Sequence, residues 1–253
     1  MNSSFDSKER FSNRVENYIK YRPDYPKEII DSLKEKIYLN SSWAIADIGS
    51  GTGILSKLFL ENGNEVFGVE PNEAMRKAGE KQLINYKNFT STSGNAEETG
   101  LKNKSIELIT AGQAFHWFDV EKSKIEFKRI LKKDGYVLLI WNNRKVDSSS
   151  FLVEYENLLI NYCIDYQFVN HKNFNNEILK KFFVKYELKT FPNWQVFDLK
   201  GLKGRLLSSS YAPMPDHPKF KLMIEKLEEI FIQNETRGKV KFEYDTELYF
   251  GII

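Results

Sequence analysis

The chain has 253 residues, enough for one α/β domain or one domain with a cap, and 41% of them are hydrophobic, so a sizeable core is available. Lys plus Arg number 37 against 35 Asp plus Glu, and this net charge of +2 argues against a nucleic acid or an anionic membrane as partner. The lone cysteine, Cys163, rules out an intrachain disulfide and a cysteine-based zinc site and fits a reducing, cytoplasmic setting. No signal peptide is expected from residues 1–6, and no apolar run approaches the roughly 18 residues that span a bilayer.

Residues 1–40 read as polar helix, interrupted at Tyr21-Arg22-Pro23-Asp24-Tyr25-Pro26, where the prolines stop one helix and set the start of the next near Lys27. From Trp43 strands and helices alternate. Strands are expected at 44–48, 66–70, 89–93, 106–111 and 136–141, the last after an Asp134-Gly135 turn. Helices are expected at 54–62, 72–83, with Asn72 as cap, and 120–131. Beyond Trp141 helices are expected at 151–166, 176–185, 202–207 and 220–233. The segments 188–199 and 240–250 read as strands. In the second, Val240, Phe242, Tyr244, Thr246, Leu248 and Phe250 share one face.

This order predicts a Rossmann-like α/β fold: a seven-stranded, mostly parallel sheet with helices on both faces and a helical cap inserted among the C-terminal strands. Residues 1–42 supply N-terminal helices and a lid, 43–145 a ligand-binding core, and 146–253 the cap with the last two strands, all in one structural domain. Open sheets of this kind bind ligands at the carboxyl ends of their strands.

The run Asp47-Ile48-Gly49-Ser50-Gly51-Thr52-Gly53 lies between a strand and a helix. Its glycines permit a tight turn and close backbone approach to a ligand. Their G-x-G-x-G spacing, with an acid two residues ahead, suits a ligand with amino-acid and nucleoside ends better than a dinucleotide pyrophosphate, and no P-loop lysine follows. Glu70 stands 21 positions after Gly49, near the roughly 20 expected of an acid that binds ribose hydroxyls.

With these residues, and with Val69-Glu70-Pro71, Gly94-Asn95-Ala96-Glu97, Gln113-Ala114-Phe115-His116-Trp117-Phe118 and Leu131–Gly135, the chain resembles the class I S-adenosylmethionine-dependent methyltransferases. The likeness is closest to the small-molecule group around trans-aconitate methyltransferase. The resemblance implies S-adenosylmethionine as cofactor, S-adenosylhomocysteine as product and a small-molecule acceptor. It implies that Gly49 and Gly51 hold the methionine part with Asp47 near its amino group, Ser50 and Gly53 completing the turn. Glu70 would bind the ribose, Pro71 and Asn72 would lie beside the adenine, and Asn95, Ala96 and Glu97 would flank its other side. Gln113 and Ala114 would line the path to the sulfonium. Tyr18, Tyr21 and Arg22 would belong to a lid.

His116 has two readings: a base or hydrogen-bond partner beside the acceptor, or part of an aromatic floor with Trp117 and Phe118. Arg144, Arg205 and Tyr211 read as solvated groups, with contact to an acceptor carboxylate as the alternative. His171 and His217 read as surface residues, and Lys180, Lys181 and Lys185 as solvated helix faces. No metal site is expected. The run after the fourth strand also lacks the paired prolines typical of nucleobase-amine methylation. Two other functions share the fold class: a non-catalytic S-adenosylmethionine-binding module and a nicotinamide-dependent oxidoreductase. A monomer or a homodimer would suit any of them.

Overall fold

The computed structural model describes residues 14–164, 166 and 176–253. Its helices are α1 (Val15–Tyr21), α2 (Glu28–Ile37), α3 (Ile54–Glu61), α4 (Glu73–Gln82), α5 (Val120–Ile130), α6 (Ser150–Tyr162), α7 (Asn176–Phe182), α8 (Leu199–Leu207) and α9 (Phe220–Asn234). The strands are β1 (Ala44–Ile48), β2 (Glu65–Val69), β3 (Phe89–Thr92), β4 (Ile106–Gly112), β5 (Leu131–Arg144), β6 (Lys185–Phe197) and β7 (Val240–Ile252). They form one sheet in the order β3-β2-β1-β4-β5-β7-β6. β1 to β5 pair in parallel, and β7 is antiparallel to both β5 and β6. The expected architecture is the one found.

Each face of the sheet is sealed by apolar side chains whose spacing is visible in the sequence. Ile29, Ile30, Leu33 and Ile37 of α2 and Leu55, Leu58 and Phe59 of α3 cover one face. Phe127 and Ile130 of α5 and Leu179 and Phe182 of α7 cover the other. A third cluster joins α6, α8 and α9 to Phe242 and Tyr244 of β7. Every residue of the alternating set Val240 to Phe250 is buried, as the period of two requires. Asn72, Asp119, Ser149 and Asp198 cap their helices by accepting backbone N–H bonds.

The turn expected at Asp134-Gly135 takes another form. Leu131 already pairs with Ile106, so β5 begins immediately after α5, and the exposed residues Lys132–Asp134 bulge out before Tyr136 pairs with Leu108. Asp134 takes a φ of 65° there. The helix expected at 151–166 closes at Tyr162, and the one expected from Leu202 begins at Leu199 because Asp198 caps it. The expectation for His171, and that for residues 1–13, lies outside the described residues. Lys180, Lys181 and Lys185 are exposed, and the half-buried His217 accepts a hydrogen bond from the Lys219 N–H.

Candidate active site

A cavity of about 470 Å³ opens at the carboxyl ends of β1, β4 and β5, roofed by the cap and the segment after α1. The β1–α3 turn forms one wall. The N–H groups of Gly49 and Ser50 both donate to the Val69 carbonyl, at 2.8 and 3.2 Å, which ties the turn to the end of β2. Gly49 has a φ of +70°, and a Cβ there would stand 2.7 Å from the Cβ of Ala114. Only glycine meets both demands. Gly53 faces Leu83 rather than the cavity and serves the packing of α3.

Glu70 sits directly behind this turn. One carboxylate oxygen accepts from the Gly51 N–H at 2.9 Å and the other from the Asn72 N–H at 2.8 Å. Arg76 donates to the Glu70 carbonyl at 3.1 Å. Burial raises the Glu70 pKa, opposed by the two backbone donors and by Arg76. Glu70 is buried and is not among the residues that line the cavity; its carboxylate has about four acceptor positions, so two stay unfilled by these donors.

Asp47, the penultimate residue of β1, lines the cavity and is 1% exposed. It accepts hydrogen bonds from Ser56 Oγ at 2.6 Å and Thr110 Oγ1 at 3.1 Å. Burial raises its pKa to about 6 against the effect of these donors. A cation beside it would remove that penalty. Nearby, Gln113 Oε1 and Thr52 Oγ1 are buried without a hydrogen-bond partner among the described residues. Buried polar atoms are nearly always hydrogen-bonded, to protein or to ordered water, so both can serve a water or a ligand.

The run after β4 divides by direction. Residues Phe115–Trp117 form a single 3-10 turn that sends Phe115 into the core, where it meets Phe182 at 4.7 Å between ring centroids, and turns His116 and Trp117 toward the cavity. Phe118 packs edge-on to Phe115 and Phe127. The floor is therefore aromatic, with His116 the titratable group at its surface.

Several residues singled out from the sequence stand apart from the cavity. Tyr21 packs against Phe197 and α8. Ala96 is buried in the core, and Ala114 packs behind Gly49. The exposed Asn95 side chain accepts from the backbone of Glu97 and Glu98, and Glu97 accepts from the Asp119 N–H at 2.7 Å. Pro71 is half-buried next to Asn72, whose side chain caps α4.

The cap supplies what the sequence did not reveal. Arg144, Arg205 and Tyr211, read there as solvated, all line the cavity, and Arg205 is 6% exposed. The reason is tertiary: α8 lies against β7, and α1 closes over α8. Arg144 is paired with Glu156 of α6, which also accepts from Tyr166 at 2.7 Å. Arg22 comes from the lid, with its guanidinium 4.9 Å from the Tyr18 ring and donating to the Ser208 carbonyl at 2.9 Å. Tyr25, from the Tyr21–Pro26 run, also lines the cavity, as do Glu156 and Asn142, which no motif marked.

Residues 46–139 match a family described as "Methyltransferase domain". An uncharacterised methyltransferase of Schizosaccharomyces pombe is 31% identical over 154 residues, 60% of this chain and 59% of the relative. One of Mycobacterium tuberculosis is 32% identical over 137 residues, 53% of this chain and 52% of the relative. The aligned part thus spans a little over half the length of these relatives. Among solved structures, one described as a type II methyltransferase from Anaeromyxobacter dehalogenans shares the fold at a TM-score of 0.66 and 18% identity, over 92% of this chain and 98% of that one. A phosphoethanolamine N-methyltransferase of Haemonchus contortus, in complex with S-adenosylmethionine, superposes with a TM-score of 0.55 at 16% identity, over 100% of this chain and 61% of that one. In its sheet order, its glycine turn after β1 and its acid after β2, the chain is thus similar to the class I S-adenosylmethionine-dependent methyltransferases, with residues 46–139 matching the methyltransferase domain.

Proposed function

We propose that this chain transfers the methyl group of S-adenosylmethionine to a small-molecule acceptor held under the cap. The observation that carries the reading is one continuous cavity that runs from the Gly49–Gly51 turn to the cap arginines. Its size suits a small ligand rather than a polymer. The donor set fits the cofactor: Asp47 and the unpartnered Gln113 oxygen for an ammonium, Glu70 for ribose hydroxyls, and the turn backbone for the amino-acid tail. A nicotinamide enzyme has less support, because the glycine spacing and the family match both favour methyl transfer. A module that only binds the cofactor would have no use for the cap half of the cavity.

When bound, the cofactor supplies an electrophilic methyl group on a sulfonium, so little covalent chemistry remains for the protein. Its residues bind, orient and exclude water. The aromatic floor at His116 and Trp117 shapes the reacting end, and His116 Nδ1 or Nε2 takes the proton where the acceptor is a hydroxyl or an amine. The Arg144–Glu156–Tyr166 group fixes the opposite wall. Among the described residues no helix is long and apolar enough to cross a membrane.

Calorimetric titration of the full chain tests the reading. S-Adenosylmethionine and S-adenosylhomocysteine are expected to bind at about micromolar Kd, near 8 kcal/mol, while NADH gives no heat. Glu70→Gln keeps one acceptor oxygen and is expected to weaken binding about tenfold, the scale of one charged hydrogen bond. No heat from either sulfur compound would sink the proposal. For His116, loss of turnover in His116→Ala with cofactor affinity retained supports the base role. Near-normal turnover assigns the residue to packing.

A further inference from the structure

On the reading that the chain transfers a methyl group, we propose that Arg205, with Arg22, anchors an oxyanion of the acceptor that is not itself the atom methylated. Arg205 is 6% exposed, yet its partners are all neutral: Tyr244 Oη at 3.3 Å, Ser209 Oγ at 3.2 Å and the Phe242 ring at 5.9 Å. Arg22 binds the Ser208 carbonyl and stacks near Tyr18, and its buried Nε has no hydrogen-bond partner. Among the described residues no carboxylate lies within ion-pair distance of either guanidinium, whereas Arg144 in the same cavity is paired with Glu156. The two guanidinium groups stand close enough that burial and the Arg205 charge together lower the Arg22 pKa.

Two unpaired, like charges at the wall of a cavity destabilise a fold unless an anion enters between them. A guanidinium presents a planar fork suited to a carboxylate or a phosphate. An oxyanion held by such a fork has its lone pairs engaged and is a weakened nucleophile, which is why the anchored group serves as a handle. The layout agrees. Tyr244, which bonds Arg205, pairs with Arg144 in the β5–β7 register, four positions beyond Ile140, whose carbonyl accepts the Gln113 N–H. At ~3.3 Å per strand residue the backbone of Tyr244, whose hydroxyl accepts from Arg205, lies roughly 13 Å along the β5–β7 pair from the level of Gln113. An acceptor that spans this distance carries its nucleophile at the sheet end and its anion at the cap end.

The test uses full-length protein saturated with S-adenosylhomocysteine and three probes: glutarate, glycerol 3-phosphate and the neutral glutaramide. Thermal shift and calorimetry are read at two salt concentrations. Glutarate or glycerol 3-phosphate is expected to bind and to weaken with salt, the stronger of the two identifying the oxyanion, and glutaramide is expected to show no binding. Arg205→Gln is expected to weaken the oxyanion at least tenfold with S-adenosylhomocysteine affinity unchanged within twofold, and Arg205→Lys to recover part of the loss. The same Arg205→Gln chain is expected to melt no lower than wild type without ligand, which a merely structural arginine would not allow. Equal binding of glutaramide, no binding of either oxyanion, or wild-type oxyanion affinity in Arg205→Gln would overturn the proposal. Failure of S-adenosylhomocysteine to bind the wild type is a separate result, read before any probe is added, and overturns the methyl-transfer reading with the acceptor assignment that rests on it.

Discussion

At the scale of single residues the cofactor half of the site follows from steric and electrostatic constraints at two positions. Gly49→Ala puts a methyl group 2.7 Å from the Ala114 Cβ in a left-handed backbone. Overpacking of this kind costs about 1–3 kcal/mol, so the variant is expected to melt several degrees lower and to lose S-adenosylmethionine binding. The double variant Gly49→Ala/Ala114→Gly removes the clash but keeps the left-handed strain, and is expected to recover only part of the stability, which a calorimetric comparison of the three chains decides. Asp47 makes a prediction in pH. Its folded pKa, raised to about 6 chiefly by burial, exceeds the ordinary aspartate value, so the folded state holds its proton more tightly than the unfolded chain. The contribution is fully favourable below the unfolded value and is lost as pH rises through about 6, a change of up to about 3 kcal/mol. Urea unfolding of the ligand-free protein between pH 4.5 and 7.5, with Asp47→Asn as reference, isolates this slope. A wild-type curve parallel to that of the variant would contradict it. These residues were legible in the sequence because their chemistry is local: an acid, a glycine turn and a second acid at fixed spacing on adjacent strands.

At the scale of elements the lid is held by its charged ends. Arg14 donates to the carbonyls of Leu207, Ser209 and Ala212 at 2.9, 2.8 and 2.6 Å, and Arg22 donates to that of Ser208. Two cations that flank α1 thus satisfy the carbonyl end of α8, where the helix dipole favours positive charge. Between them Tyr21 presses on Gly204 so closely that a Cβ there would lie 2.0 Å from the ring. Gly204→Ala is therefore expected to lift α1 from the cap. Trypsin cleavage after Lys20 should speed up several-fold (the Arg22-Pro23 bond is resistant), and cofactor affinity should fall, because Arg22 leaves the cavity wall. Tyr21→Ala in the same chain should restore protection. Cleavage and affinity both unchanged in Gly204→Ala would show that α8 absorbs the methyl group instead. None of this was legible in the sequence, where Tyr21 and Arg22 read as lid residues alike. Their division of labour, one packing and one lining, depends on which side of a seven-residue helix meets α8. Arg205 was misread for the same reason, since a basic residue near a helix end looks solvated until another element covers it.

At the scale of the whole molecule, chain order and sheet order differ. The family match ends at residue 139, inside β5, but the strand that completes β5 arrives last. β7 pairs with β5 from Val137↔Gly251 to Arg144↔Tyr244, and its Leu248 and Phe250 join the same core as Leu138 and Ile140. On its other side β7 pairs with β6 along its full length, and α8 and α9 lie between these two strands in the chain. The late strands were recognisable by alternation, yet nothing in their sequence announced that β7 would insert beside β5. That insertion puts strands of the segments 43–145 and 146–253 into one sheet. The full chain is accordingly expected to unfold in one calorimetric transition, with the calorimetric and van't Hoff enthalpies equal. A chain cut after Lys145 leaves β5 as an edge, with its backbone unpaired on one side and Trp141 deprived of Tyr249. Apolar edges of that kind pair with other chains, so the fragment is expected to aggregate rather than fold. A soluble, monomeric 1–145 fragment with a cooperative melt would show that the cofactor-binding half folds alone and that the cap is an addition to it, not a part of its sheet.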